Sequence, residues 1–162
     1  MQLFYGVPED IENWMSLVTQ VRWNFPGLET QEKLNEHRAT VLKFMGKRQA
    51  ICIKDENEIA GVMLFSRGHN MICCLAVSPE YRRRGVASIL MDEALTNLDR
   101  TKEISVSTFS ADDEKGTATR SLYEKYCFVA DELIEEFDYA NQKYVLHTEG
   151  SERNERKLAI NT

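Results

Sequence analysis

The sequence predicts an α/β protein built on one mixed, mostly antiparallel sheet. Two amphipathic helices follow a short apolar run, three strand-like segments come next, and helices and strands alternate from there on. A continuously apolar strand that leads into a helix, over residues 71–98, predicts one parallel crossover. We therefore expect about six to seven strands flanked by about four helices.

The length and composition favour one domain with a substantial core. The chain has 162 residues, of which 43% are hydrophobic and 28% charged, and a formal net charge of −6. Without repeats or long linkers, this predicts a single domain over residues 1–148 and a polar tail over 149–162. The acidic balance argues against nucleic-acid binding, and no run approaches the roughly 20 apolar residues of a membrane span. The first residues do not show the basic start followed by an apolar stretch that is typical of a signal peptide, which favours a cytoplasmic protein.

The first half contains an edge strand, two helices and a hairpin. Residues 3–7 form a short apolar run, and apolar residues recur at helical spacing over 9–23. Thr30 is placed to cap a second helix, with Gly46 just past its end. Two segments rich in β-branched residues, 49–54 and 59–66, flank a polar turn and predict a hairpin.

The second half carries the crossover and the closing strands. Residues 71–77 are continuously apolar, which is typical of a strand covered on both faces. Helical spacing returns over 86–98, alternation over 104–109 predicts a strand, and a helix of about three turns ends near Tyr126. Two short strands, 127–130 and 143–147, complete the prediction.

The cysteines and histidines predict no metal site. There is no C-x-x-C pair, the three histidines are scattered, and Cys73 and Cys74 would point to opposite faces of a strand. Reduced, buried thiols are the simpler interpretation. The cysteines are Cys52, Cys73, Cys74 and Cys127.

Residues 75–88 carry the strongest functional signal. An apolar strand ends at Ser78-Pro79, and three arginines and Gly85 precede an amphipathic helix. The first backbone N–H groups of a helix have no intrahelical partner, and with the helix dipole they bind phosphate-type anions. Gly85 permits close approach of a ligand, and residues 79–84 are locally +2, with three arginines and one acid. A strand–turn–helix joint with solvated arginines has the same pattern, so the segment alone leaves both interpretations open.

Two sequence blocks resemble one family. Val77, Pro79, Arg82, Gly85 and Ala87 occupy the pattern V-x-P-x-x-R-x-x-G-x-A, which is similar to the acyl-CoA signature [QR]-x-x-G-x-[GA] of the GCN5-related N-acetyltransferases, the GNAT superfamily. About forty residues later, with a predicted strand between, Leu122 to Phe128 resembles the family block L-Y-x-K-x-G-F. The resemblance spans roughly residues 3–147.

The resemblance implies a GNAT-like fold, acetyl-CoA as co-substrate and a set of site residues. The strand 71–77 would diverge from the next strand, so that the backbone of Leu75, Ala76 and Val77 contacts the pantetheine arm. Tyr123 matches the tyrosine that protonates the departing coenzyme A thiolate, and a phenol with an ordinary pKa of about 10 is protonated at neutral pH. The diphosphate would be held by Arg82, Arg83, Arg84, Gly85, Val86, Ala87 and Ser88.

The implied activity is transfer of an acetyl group to a primary amine of a small molecule or a peptide, by direct attack in a ternary complex. A non-catalytic, acyl-CoA-binding regulatory module is the alternative, and a plain anion-binding domain is a third reading. The resemblance also leaves a homodimer open, since family members are often dimers.

Two positions depart from the family pattern. Cys127 stands where a glycine usually precedes the phenylalanine, and Gly116 replaces an asparagine that often contacts coenzyme A. Tyr126 lies three residues after Tyr123 and is a second candidate for the acid.

The sequence says least about the general base and the acceptor. The central strands carry no carboxylate, and the acids of the flanking loops are Asp112, Asp113 and Glu29. The resemblance places the acceptor between the helix connection and the last strands. The residues there are Trp23, Phe25, Pro26 and Glu29 on one side, and Asp131, Glu132, Glu135, Glu136 and Asp138 on the other. These acids would attract a cationic amine, or they form a solvated edge.

Overall fold

A computed structural model describes residues 1–22, 27–109, 117–136 and 139–147. The strands are β1 (Gln2–Tyr5), β2 (Ala50–Asp55), β3 (Glu58–Ser66), β4 (Met71–Val77), β5 (Ile104–Phe109), β6 (Val129–Glu136) and β7 (Tyr139–Leu146). The helices are α1 (Ile11–Gln20), α2 (Gln31–Gly46), α3 (Val86–Asn97) and α4 (Thr117–Lys125), with short 3₁₀ turns at Pro8–Asp10 and Pro79–Tyr81.

The seven strands form one sheet in the order β1-β2-β3-β4-β5-β7-β6. Neighbouring strands are antiparallel except β4 and β5, which are parallel and joined through α3. The predicted α/β fold, with a mixed, mostly antiparallel sheet and four helices, is confirmed.

Each face of the sheet is covered by helices. Trp14 of α1 is fully buried in a cluster with α2, β2 and β3, while Leu90 and Met91 of α3 pack on the other face with Tyr123 and Phe128. None of the helices in the described residues is both long and apolar enough to cross a membrane.

Local sequence patterns predicted several of the helix and strand boundaries. The strands over residues 71–77 and 104–109 have the predicted bounds, and the Thr30 hydroxyl accepts a 3.1 Å hydrogen bond from the Lys33 N–H as the predicted helix cap. The expectation that strand 71–77 is covered on both faces was wrong, because only Ile72 and Ala76 are buried in it and Cys73 is exposed. Gly46 is the last residue of α2 rather than the residue after it.

The prediction was wrong about the length of the closing strands. β6 and β7 continue over 129–136 and 139–146, whereas short strands were expected at 127–130 and 143–147. Residues 131–136 are rich in acids, and β6 is the outermost strand of the sheet. Edge strands carry charged residues without burying them, so composition is a weak guide there.

The cysteine prediction was also wrong in part. All four cysteines are free thiols, but only Cys52 is buried, whereas Cys74 is half-buried and Cys73 and Cys127 are exposed. Cys73 lies in a β-bulge and Cys127 in a turn, and neither position is covered by a neighbouring element. The tail, residues 149–162, lies outside the described residues.

Candidate active site

The sheet opens between β4 and β5. The two parallel strands pair only through Met71 and Ile72 of β4, although β5 continues beside β7 to Phe109. Among the described residues, 74–77 therefore have a strand partner only on the β3 side, and Cys73 has none on either side. The divergence implied by the resemblance is present, and within the described residues it leaves the backbone of Leu75, Ala76 and Val77 without a strand partner on the β5 side.

A β-bulge lies where the opening begins. Leu64 of β3 pairs with Cys74 and Phe65 pairs with Ile72, so Cys73 is an extra residue in β4. A bulge bends its strand and increases the local twist. Because Cys73 directly follows the last residue that pairs with β5, the bend and the divergence begin at the same place.

The turn after β4 is anchored to the hairpin between β2 and β3. Ser78 is buried, and its N–H donates a 2.8 Å hydrogen bond to the Ala60 carbonyl. Tyr81 Oη lies 2.9 Å from Glu58 Oε2 and 3.0 Å from Asp55 Oδ2, so its one proton is shared between two carboxylates. The hydrogen bond to Glu58, together with burial and Asp55, raises the pKa of Tyr81 well above its ordinary value. The turn that precedes the three arginines is therefore held by the β2–β3 hairpin.

The start of α3 has the geometry of an anion site. Gly85 is the N-cap residue with φ +78°, and no side chain caps the helix. Intrahelical pairing begins with the Ile89 N–H, which donates to the Gly85 carbonyl at 3.1 Å. The preceding amides, including those of Val86, Ala87 and Ser88, have no partner within the helix. A Cβ placed on Gly85 would have no atom of the described residues within 4 Å, so this face of the turn is not packed against them.

The three arginines differ in their surroundings. Arg82, Arg83 and Arg84 are all exposed, and the first turn of α3 holds no acid that would neutralise them. Arg83 has φ +62°, a left-handed conformation that is uncommon for a residue with a side chain. The Arg84 guanidinium lies over the Tyr81 ring, 5.3 Å from its centroid. Left-handed residues at 83 and 85 curve the backbone into a concave turn of the kind that binds anions.

Tyr123 lies on the inner face of α4. Its side chain is only 2% exposed and packs against Phe128 and Tyr144, with ring centroids 5.8 and 5.9 Å apart. Burial raises its pKa well above the ordinary value, and the nearby Cys74 thiol of β4 adds to the effect. The phenol therefore stays protonated at neutral pH.

The Tyr126 side chain is directed toward α3. Its hydroxyl lies 2.8 Å from Asp92 Oδ1 and 3.0 Å from the Ser88 carbonyl, both on α3. The one proton of the Tyr126 hydroxyl is therefore engaged by acceptors on α3.

The turn after α4 forms without the family glycine. Cys127 adopts φ +70°, its N–H donates to the Glu124 carbonyl at 2.9 Å, and the Phe128 N–H donates to the Tyr123 carbonyl at 3.0 Å. This pair of hydrogen bonds is the Schellman helix ending, which requires a left-handed residue at the position of Cys127. The cysteine therefore takes a glycine conformation at a cost in strain.

Few of the predicted base and acceptor residues can be placed. Glu29 accepts from the Gly27 N–H at 3.0 Å and lies 3.4 Å from Lys33 Nζ. The Gly27 hydrogen bond lowers the pKa of Glu29, which makes it a weaker base. Asp131 Oδ2 lies 3.8 Å from Lys143 Nζ, close to the edge of the sheet. The others lie outside the described residues or side chains: Trp23, Phe25, Pro26, Asp112, Asp113, Gly116, Glu132, Glu135, Glu136 and Asp138.

Sequence reasoning missed two residues that build the site. Gly61 of β3 lies beneath the start of α3, and Tyr81 ties the preceding turn to the hairpin. A glycine inside a strand is a signal of close backbone approach. Nothing local marks Tyr81, because its partners are more than twenty residues away in the sequence.

No group of three or more His, Cys, Asp or Glu side chains within the described part of the chain is arranged to hold a metal ion. The chemistry that the described residues offer is that of an open strand edge, unpaired helix amides, arginine charge and a buried phenol.

Comparison with known proteins identifies the fold and the family. A family model described as an acetyltransferase (GNAT) domain matches residues 28–141. A GNAT-family acetyltransferase from Bacillus cereus is 18% identical and superposes with a TM-score of 0.70, over 91% of this chain and 96% of that one. An N-acetyltransferase from Staphylococcus aureus Mu50 is 17% identical with a TM-score of 0.70, over 90% and 100%.

The PaiA N-acetyltransferase of Thermoplasma acidophilum, solved in complex with coenzyme A, has the same fold. It is 13% identical with a TM-score of 0.62, over 88% of this chain and 96% of that one. No curated protein sequence matches. The family match covers well over half of the chain, and it agrees with the opened sheet and the glycine-capped helix described above. The chain belongs to the GNAT acetyltransferase family, whose common chemistry is acyl transfer from coenzyme A.

Proposed function

We propose that the protein transfers an acetyl group from acetyl-CoA to a primary amine of a small molecule or a protein, by direct attack in a ternary complex. One arrangement carries the proposal. The open backbone edge of β4 leads to an uncapped helix start at Gly85, and Tyr123 of α4 lies close to Cys74 on the same strand. These elements suit the two ends of one extended, diphosphate-containing thioester.

The binding half of the proposal assigns the diphosphate to the start of α3. The amides of residues 85–88 point to the anion, and Arg82, Arg83 and Arg84 supply positive charge around it. The pantetheine arm pairs with the backbone of Leu75, Ala76 and Val77, in the place of a missing strand. Coenzyme A in the Thermoplasma acidophilum protein of the same fold supports this ligand.

The chemical half assigns one proton transfer to a side chain. The acceptor ammonium first loses a proton to water, and its neutral nitrogen attacks the thioester carbonyl carbon. The carbon–sulfur bond breaks, the sulfur receives the Tyr123 Oη proton, and the proton that the acylated nitrogen loses returns to the tyrosinate through solvent. The raised pKa of Tyr123 keeps the phenolic proton in place before the reaction. The acceptor is a cationic amine in its resting form, which suits the acidic segment 131–138.

Calorimetry with coenzyme A and a thiol-release assay with a panel of amines test the two halves. The panel contains a polyamine, an aminoglycoside and peptides with a free N-terminus or lysine. We expect heat on binding coenzyme A and thiol release with at least one amine. If coenzyme A does not bind, the assignment of the diphosphate to Gly85 is contradicted. Binding without release from any amine favours the acyl-CoA-binding regulatory module.

Gly85→Ala gives a sharper test of the diphosphate position. The new Cβ meets no protein atom within 4 Å but projects from the open face of the turn, and φ +78° adds strain. We expect coenzyme A affinity to fall by about tenfold or more. Gly46→Ala, at a helical position with equally open space, is the matched control and leaves the affinity unchanged. A chain shortened to residues 1–148 should bind as the full chain does, because we place the whole site in that domain.

A further inference from the structure

Tyr126 connects the two helices that form the proposed site. It follows the last residue of α4, and its N–H donates to the carbonyls of Leu122 at 3.2 Å and Tyr123 at 3.1 Å. The backbone of Tyr126 is therefore tied to the turn that carries Tyr123. Its side chain reaches away from α4 to the first turns of α3.

The contact with α3 is polar and directional. Tyr126 Oη lies 3.0 Å from the carbonyl of Ser88, in the first turn, and 2.8 Å from Asp92 Oδ1, one turn later. A hydrogen bond from a phenol to a carboxylate is charge-assisted and stronger than one between neutral groups. Burial and the Asp92 carboxylate raise the pKa of Tyr126, so the hydroxyl remains a donor at neutral pH.

These contacts lie between the two ends of the proposed ligand. Ser88 is one of the residues whose amides face the diphosphate, while Tyr123 is the proton donor for the sulfur. A ligand that spans both positions is sensitive to the distance between α3 and α4. A ligand that reaches only the diphosphate position is insensitive to this distance.

We propose that Tyr126 is a positioning residue, whose hydroxyl holds α4 against Ser88 and Asp92 so that one coenzyme A reaches both the helix amides and Tyr123. The inference rests on the proposed function and adds a residue that touches neither the ligand nor the reacting atoms.

Tyr126→Phe, which keeps the ring and removes the hydroxyl, tests this role by calorimetry with two probes. Coenzyme A carries the pantetheine arm, the diphosphate and a 3′-phosphorylated adenosine, whereas ADP carries the diphosphate and adenosine without the arm or the 3′-phosphate. We expect the dissociation constant for coenzyme A to rise roughly five- to tenfold, and that for ADP to change by less than about twofold.

Tyr5→Phe is the matched control. Tyr5 Oη also donates to an acid of α3, Glu93 Oε1 at 2.6 Å, and accepts from Asn97 Nδ2 at 3.0 Å, but in the second half of the helix. Loss of this hydroxyl removes a comparable contact far from the helix start. We expect Tyr5→Phe to lower the melting temperature by a similar amount and to leave both dissociation constants unchanged.

The turnover number gives an independent readout once the thiol-release assay has identified an acceptor amine. Tyr126→Phe should lower kcat about fivefold in the wild-type background and leave it unchanged in the Tyr123→Phe background, because the effect acts through Tyr123. An equal loss of coenzyme A and ADP binding, an unchanged coenzyme A affinity, or additive effects on kcat would each overturn the inference. Wild-type protein that binds no coenzyme A would instead refute the proposed function.

Discussion

Gly61 of β3 lies directly beneath Val86, the first residue of α3. A Cβ on Gly61 would come within 2.5 Å of Val86 Cγ1, 3.2 Å of Leu90 Cδ1 and 3.3 Å of the Ala76 carbonyl oxygen. Val86 and Leu90 are both buried, so neither side chain can move aside into solvent. The absence of a side chain at residue 61 therefore sets how close the start of α3 lies to the sheet.

Replacing this glycine tests that relationship. Gly61→Ala should lower the free energy of unfolding by about 1–3 kcal/mol, because it overpacks the contact. It should also weaken coenzyme A binding several-fold, because it shifts the helix start. Urea unfolding and calorimetry measure the two effects. Gly46→Ala is the control and should be slightly stabilising, since it adds a good helix former in open space. Unchanged stability of Gly61→Ala would show that α3 adjusts freely.

Tyr123→Phe tests the proton donor. The buried ring and its packing remain, so we expect coenzyme A affinity to change by less than about threefold and kcat to fall by about a hundredfold. Tyr144→Phe is the control, because Tyr144 packs against Tyr123 with ring centroids 5.9 Å apart. It should leave kcat within about twofold. Equal losses in both variants would assign the effect to packing.

The raised pKa of Tyr123 predicts the pH dependence of turnover. Because burial favours the neutral phenol, the donor keeps its proton at pH values where an exposed tyrosine would lose it. The kcat of the wild type should therefore show no fall between neutral pH and about pH 10. A fall centred near pH 8 or 9 that disappears in Tyr123→Phe would contradict this assignment.

Cys127→Gly should stabilise the protein. Cys127 has φ +70° in an exposed turn, and a non-glycine residue in this conformation costs about 1–2 kcal/mol. Glycine removes most of that strain but loses more backbone entropy on folding. We therefore expect the free energy of unfolding, measured by thermal or urea unfolding, to rise by about 0.5–1 kcal/mol. Cys127→Ala removes the thiol but keeps the strain, and it should give no gain. An equal gain from both variants would point to the thiol.

Local patterns predicted much of the fold and located the helix start at which we propose the diphosphate binds. The apolar run 71–77 and the alternation over 104–109 gave both central strands, and the signature at Arg82, Gly85 and Ala87 located the open helix start. Each of these depends on residues within one turn or one strand, so a single sequence contains the information.

The remaining features depend on contacts between distant residues. The β-bulge at Cys73 is a property of two strands in register, and Tyr126 reaches Ser88 across 38 positions. The exposure of Cys73 and the length of β6 likewise follow from where each strand lies in the sheet. The sequence alone offered Tyr126 as a second candidate acid and could not show its contact with Ser88 and Asp92, because spacing along a helix says nothing about the neighbouring helix.

The open edge of β4 also has a consequence for the solubility of the protein without bound ligand. Among the described residues, the backbone of 73–77 has no partner toward β5, and unpaired strand edges recruit other extended chains. A ligand lying along this edge would occupy the hydrogen-bonding groups that otherwise promote aggregation. The supply of coenzyme would then govern the solubility of the protein as well as its turnover, and preparations stripped of ligand should be the first to precipitate.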